Sequence, residues 1–109
     1  MKVIESAGRY SAPEGVENTH WIEHLRVPDL SVGTYSVPGE GSDGQSPHSE
    51  DEIYVVTLGS ARLVAGDETA DVVPGSVVYV PAGEEHRFVD IAQDFAVLVL
   101  FAPAEYSRA

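Results

Sequence analysis

Two histidines stand beside carboxylates in β-rich surroundings: His48 in SPHSEDEIYVV, followed by Glu50 and Glu52, and His86 in PAGEEHRFVD. Two neutral imidazoles and one carboxylate form a three-donor set for a divalent ion, the set of non-heme iron(II) sites and one that manganese, nickel and zinc also accept. Along an extended strand, side chains two apart share a face. Ser46, His48, Glu50, Glu52 and Tyr54 therefore point one way if their strand begins early, and His86, Phe88 and Asp90 share a face of their own. A barrel that pairs the two segments brings His86 beside His48 and Glu52.

The elements available to position these residues are strands. Ten glycines and seven prolines cut the chain into short segments, several rich in Val, Ile, Tyr and Phe. Segments 20–27, 30–37, 52–58, 61–65, 68–73, 76–80, 85–91 and 94–101 follow one another with turn residues between them; the first fits a strand or a helical turn and is read as a strand. No amphipathic stretch long enough for a crossover helix intervenes, so an all-β sandwich or barrel is expected rather than an α/β plan. EIYVVTL and FAVLVLF are apolar at both parities. Such strands are covered on both faces, one of them by a second subunit, which makes a homodimer the expectation.

The spacing of these residues resembles that of the cupins. Their second motif, G-x5-P-x-G-x2-H-x3-N, is met by Gly75, Pro81, Gly83 and His86, with Asp90 in the final Asn position. Their first motif, G-x5-H-x-H-x3,4-E-x6-G, is met from His48 through Glu52 to Gly59. Ser46 stands where the first histidine is expected, and Glu40 stands between Gly39 and Gly41 where the opening glycine is expected. The resemblance implies a cupin-type double-stranded β-helix, or jelly-roll, barrel over about residues 30–101, with strands or an arm in 1–29 and the whole chain, 1–109, forming one domain. It also implies one divalent ion (Fe, Mn, Ni or Zn) on His48, Glu52 and His86. Ser46 departs from the pattern: either a coordination position opens, or Gln45 or Glu50 bends in as a further ligand, or the ion is lost. Tyr54 and Phe88 are the candidates to line a substrate pocket.

Each of these residues also has a plainer reading. A single histidine is more often a hydrogen-bonded core or rim residue, the SEDE run reads as solvated loop charge that includes Glu50, and aromatic side chains in a small barrel are usually core. His20 and His24 lie four apart but lack a third ligand, and Glu84-Glu85 reads as a solvated turn. Gly39, Gly41 and Gly44 precede no helix that could cradle a phosphate.

Composition narrows the function. A formal charge of −12 repels nucleic acid and anionic lipid, and zero cysteines exclude disulfides and thiolate sites. The first residues hold no apolar signal core, and the longest apolar run, Phe95 to Ala102, is eight residues. Cytoplasmic residence without a membrane partner is the expectation. Three function classes remain. The first is a metal-dependent enzyme acting on a small oxygenated molecule, a dioxygenase with iron or an isomerase, cyclase or lyase with the other ions, in which Glu50 or Tyr54 handles protons. The second is a non-catalytic module that binds a small ligand, and the third a dimeric storage or scaffold protein.

Overall fold

Each glycine- or proline-bounded segment becomes a strand, because Val, Ile, Tyr and Phe fit the pleat and the turn residues between them prevent continuation. The structure, a computed structural model, describes residues 1–45 and 47–108. Among these are eight strands: β1 His20–Val27, β2 Leu30–Val37, β3 Asp51–Leu58, β4 Ala61–Ala65, β5 Glu68–Val72, β6 Val77–Val80, β7 His86–Val89 and β8 Phe95–Ala102. They form a five-stranded sheet in the order β1-β2-β8-β3-β6 and a three-stranded sheet in the order β5-β4-β7. Every pairing is antiparallel. The expected all-β jelly-roll is therefore the fold. Among the described residues no helix is long and apolar enough to cross a membrane.

The two sheets pack face to face over a core of Tyr35, Val37, Tyr54, Val56, Leu63, Phe88, Phe95, Val97, Val99 and Phe101. Alternation within each strand decides this. In β8 the odd residues 95 to 101 point inward, opposite Tyr35 on β2 and Glu52, Tyr54 and Val56 on β3. Phe88 carries the aromatic packing between the sheets, with its ring centroid 4.8 Å from both Tyr54 and Phe95. The outer face of the large sheet is apolar across its width, since Leu25, Val32, Leu100, Ile53 and Tyr79 follow one another in register over all five strands.

Two strand-parity expectations do not hold. β3 begins at Asp51, so His48 and Glu50 lie in the turn before it and are not bound by its alternation. β7 ends at Val89, and Asp90 adopts φ 55°, leaves the sheet and faces Arg62 at 3.5 Å. The β3 and β7 segments also do not pair: β7 pairs with β4, so His86 reaches Glu52 across the interior from the opposite sheet.

Glu50 is buried rather than solvated. Its carboxylate accepts the Ser49 hydroxyl and the backbone amides of Tyr106 (2.7 Å) and Arg108 (3.0 Å), which ties the C-terminal turn to the start of β3. Burial pushes its pKa up, but the Ser49 hydroxyl and the two amides outweigh that and hold it below the ordinary carboxylate value. A folded-state pKa below the unfolded one adds stability at neutral pH that disappears as pH falls through the folded value. Glu50→Gln should therefore lower unfolding free energy at pH 7 by about 1.5–3 kcal/mol, the scale of hydrogen bonds to a charged group. In denaturant titrations the gap between the two proteins should close as pH falls below about 4; a gap independent of pH would mean that charge has no part in the anchor.

Candidate metal centre and its cavity

One end of the barrel gathers the polar side chains, because strand ends meet there. Glu52 lies second in β3, opposite Phe101 near the end of β8, and His86 opens β7 opposite Ala65 at the end of β4. The turn carrying His48 is fixed to the turn before β7: Gly83 N donates to the His48 carbonyl at 2.8 Å, and Ala82 N to Asp51 Oδ1 at 2.9 Å. One ligand atom from each of His48, Glu52 and His86 lies within 4.8 Å of the others. All three candidate ligands named from the sequence are thus brought together.

The hydrogen bonds around His86 define what the cluster needs. Its Nδ1 lies 2.8 Å from the Glu84 carbonyl, which can only accept, so Nδ1 carries a proton and Nε2 faces inward, as a lone pair in the neutral ring and as a second N–H in the imidazolium. Nε2 lies 2.9 Å from the Tyr54 hydroxyl and 3.1 Å from Glu52 Oε1. Neither Glu52 oxygen receives a hydrogen bond, although the residue is fully buried. A lone pair and a carboxylate at this distance repel unless a proton or a metal ion lies between them. Burial pushes the His86 pKa down, but the Glu52 carboxylate and the Glu84 carbonyl outweigh it and the net shift is upward. Burial is also the largest effect on His48; there it wins, and His48 is held in the neutral form that ligates.

Beside this cluster lies a cavity of about 350 Å³. Trp21, Tyr35, Phe101 and Tyr106 give it aromatic walls, and His48, Glu52, Gln45 and Glu105 give it polar ones. The Trp21 indole lies over Gly33, where an added Cβ would come within 2.2 Å of Cη2 and 2.6 Å of the Ile22 carbonyl, so only glycine leaves room for this wall. Gln45 is held by Asp43, which accepts its Nε2 at 2.9 Å and its backbone amide at 3.2 Å. Asp43 also takes the Tyr35 hydroxyl (2.7 Å) and the Phe88 amide (2.8 Å). Gln45 Oε1 lies 3.1 Å from the Tyr54 hydroxyl and 3.3 Å from His48 Nε2, beside the three candidate ligands.

Residues 34–102 match the family model described as Cupin domain. The chain belongs to the cupin family. It is 46% identical over 85 residues to an uncharacterised protein of Streptomyces coelicolor, covering 78% of this chain and 81% of that protein. Among solved structures it resembles KdgF from Halomonas sp. at a TM-score of 0.73 and 23% identity, covering 83% of this chain and 85% of that one. It also resembles an RmlC-like cupin with a double-stranded β-helix fold from Methanocaldococcus jannaschii at 0.70 and 14%, with coverage of 86% and 88%. The DMSP lyase DddQ from Ruegeria pomeroyi matches at 0.73 and 19%, over 93% of this chain and 54% of that one.

Other residues of this cupin that were singled out in the sequence sit as follows. Ser46 lies outside the described residues. Glu50 is turned to the C-terminal segment and stands outside the donor cluster. Tyr54 and Phe88 are buried beneath the cavity and do not line it. Burial, followed by the nearby Glu52 charge, raises the Tyr54 pKa well above the ordinary phenol value, which makes it a hydrogen-bond donor and not a base. His24 contacts Thr34 Oγ1 at 2.6 Å and takes no part in the site. Trp21, Asp43, Glu105 and Tyr106 were not legible as site residues. Glu105 follows the last strand and enters the cavity through the C-terminal turn, a path that no strand period records.

Gly33→Ala should push the indole off its wall. We expect a loss of about 1–3 kcal/mol in stability, the scale of overpacking, together with a shifted emission spectrum from Trp21, the chain's single tryptophan. An unchanged spectrum would contradict the placement of the indole over Gly33.

Proposed function

We propose that this cupin holds one divalent ion on His48, Glu52 and His86 and acts as a metal-dependent enzyme on a small oxygenated organic molecule in the adjoining cavity. The observation that carries the reading is the buried Glu52 carboxylate, which has no hydrogen-bond partner and faces His86 Nε2 at 3.1 Å. A cation between the carboxylate and the neutral ring turns one repulsive contact into two bonds. When bound, the ion would act as a Lewis acid toward a substrate oxygen; Fe, Mn, Ni and Zn all suit two imidazoles and a carboxylate.

The protein's own residues set the conditions for that chemistry. The Glu84 carbonyl fixes the tautomer of His86 and aims Nε2. Phe101 packs against the His48 ring at a centroid distance of 4.7 Å and limits its rotation. Gln45, clamped by Asp43, offers an amide oxygen beside the donor set as a substrate contact or a further ligand. Trp21 and Phe101 meet edge to face at 6.3 Å and give the apolar body of a ligand a dry wall. Among the structural relatives a DMSP lyase uses the same barrel, which supports the lyase or isomerase side of the reading over oxygen chemistry.

Metal analysis of protein purified without a histidine tag should give about one ion per chain, lost in His48→Ala and His86→Ala. The wild type should melt higher with metal than after chelation, and the two variants should show no such difference, since an ion that binds only the native state stabilises it by mass action. Falling pH should release the ion as the imidazoles protonate. Full metal content in both variants would refute the site.

The outer-face stripe supports a homodimer in which two large sheets meet through Leu25, Val32, Leu100, Ile53 and Tyr79. Sedimentation of the wild type should then give twice the chain mass, and Ile53→Lys or Leu100→Glu should give the monomer. A wild-type monomer at micromolar concentration would overturn this arrangement.

A further inference from the structure

The cavity's lining includes two carboxylates and no lysine or arginine among the described residues. One carboxylate, Glu52, belongs to the donor cluster. The other, Glu105, sits on the cavity side of His48, with Oε2 3.4 Å from Nδ1, and its side chain is 8% exposed. Its backbone is fixed at several points. Glu105 N donates to Ser31 Oγ at 2.9 Å, its carbonyl accepts Arg26 Nη1 at 2.8 Å, and the next amide, Tyr106 N, donates to Glu50 at 2.7 Å. Glu50 and Ser31 are themselves buried. Such anchoring places a charged group where a floppy tail would carry it into water.

Among the described residues no cationic side chain forms an ion pair with this carboxylate beyond a His48 ring in its charged form, although the Arg26 charge acts on it from a distance. Arg26 reaches its backbone carbonyl, but the guanidinium is paired with Glu23 at 2.6 Å and does not line the cavity. Burial, followed by the charges of Glu23 and Glu52, pushes the Glu105 pKa above the ordinary carboxylate value, the Tyr106 phenol is a neutral donor, and a ligating His48 is neutral. With a divalent ion in place, Glu52 and Glu105 together match its two charges. The site then offers an anionic substrate no net attraction, and it presents a carboxylate edge that repels one. Trp21, Phe101 and Tyr106 supply aromatic surface beside that carboxylate, the environment in which an organic cation is favoured.

We propose that Glu105 and the aromatic wall of Trp21 select a ligand bearing an organic ammonium group, so that the substrate is a small amine with an oxygen for the ion, and that carboxylate substrates are rejected. This rests on the reading of the cavity as the small-molecule site. The ammonium donates to Glu105 and packs against Trp21, while the oxygen end points to His48, Glu52 and His86.

Three probes of one shape and different charge test it: benzylamine, benzyl alcohol and benzoate, each titrated calorimetrically into the metal-loaded and the chelated wild type, Glu105→Gln and Trp21→Leu. In the wild type benzylammonium should bind tightest and benzoate weakest. Glu105→Gln should weaken benzylammonium by about ten- to a hundredfold, the loss of a charge-assisted hydrogen bond, while benzyl alcohol changes little. Trp21→Leu should weaken benzylammonium more than benzyl alcohol and is independent of the C-terminal turn. Equal affinities, a preference for benzoate, or binding of none of the three would overturn the assignment. Metal content measured on the same samples separates the two readings: a protein that takes no ion but keeps the ammonium preference fails the metal reading alone, and one that takes the ion without that preference fails this one alone.

Discussion

The contact on which the site depends is the 3.1 Å approach of Glu52 Oε1 to His86 Nε2 inside a closed barrel. In water, two electron-rich atoms would simply be solvated apart. Here the backbone forbids that: Glu52 is held between β6 and β8 by pairing with Val80 and Phe101, and His86 is held by β4 and by the Glu84 carbonyl. Leaving a buried carboxylate without any donor costs several kcal/mol. The sheets are stable enough to impose the approach, and a proton or a metal ion between the two atoms would relieve it.

Imposing it requires that two sheets agree on the position of one end of the barrel. Three tethers do this. Asp43 joins the loop before His48 to β2 through Tyr35 and to β7 through the Phe88 amide. Gly83 N joins the turn before β7 to the His48 carbonyl. Glu50 joins the start of β3 to the C-terminal turn. Each tether is a polar group satisfied by backbone or phenol donors, so the rim of the cavity is rigid without a larger core. The large sheet's interior aromatics, from Tyr35 to Phe101, fill the space below.

The strands were legible because turn residues and β-branched runs act locally, and observed ends coincide with the expected ones or differ by one residue except at the end of β7. β7 is shorter at both ends, since Glu85 and residues 90–91 belong to the flanking turns, Asp90 in a left-handed conformation. The donor set His48, Glu52 and His86 was legible because its spacing matches a family pattern; strand parity alone misplaced it, because His48 stands in a turn and His86 arrives from the other sheet. What could not be read were contacts made by residues far apart in the chain and held by the backbone: Asp43 with Phe88, Glu50 with Arg108, Glu105 with His48. The SEDE run reads as solvated charge from composition, yet its middle glutamate is buried because two amides more than fifty residues away come to meet it.

Four carboxylates are buried among the described residues, Asp43, Glu50, Glu52 and Glu105, and their hydrogen bonding divides them. Asp43 and Glu50 collect backbone amides, hydroxyls or an amide side chain and act as structural clamps. Glu52 meets only the His86 ring nitrogen at 3.1 Å, and Glu105 faces an imidazole nitrogen at 3.4 Å and a phenol. A chain that carries twelve net negative charges could have kept these last two in solvent. Burying them raises the electrostatic cost of the barrel, a cost that the ion and the ammonium ligand proposed above would offset. The clamps and the unsatisfied pair are therefore coupled: Asp43 and Glu50 stiffen the rim so that Glu52 and Glu105 cannot relax outward.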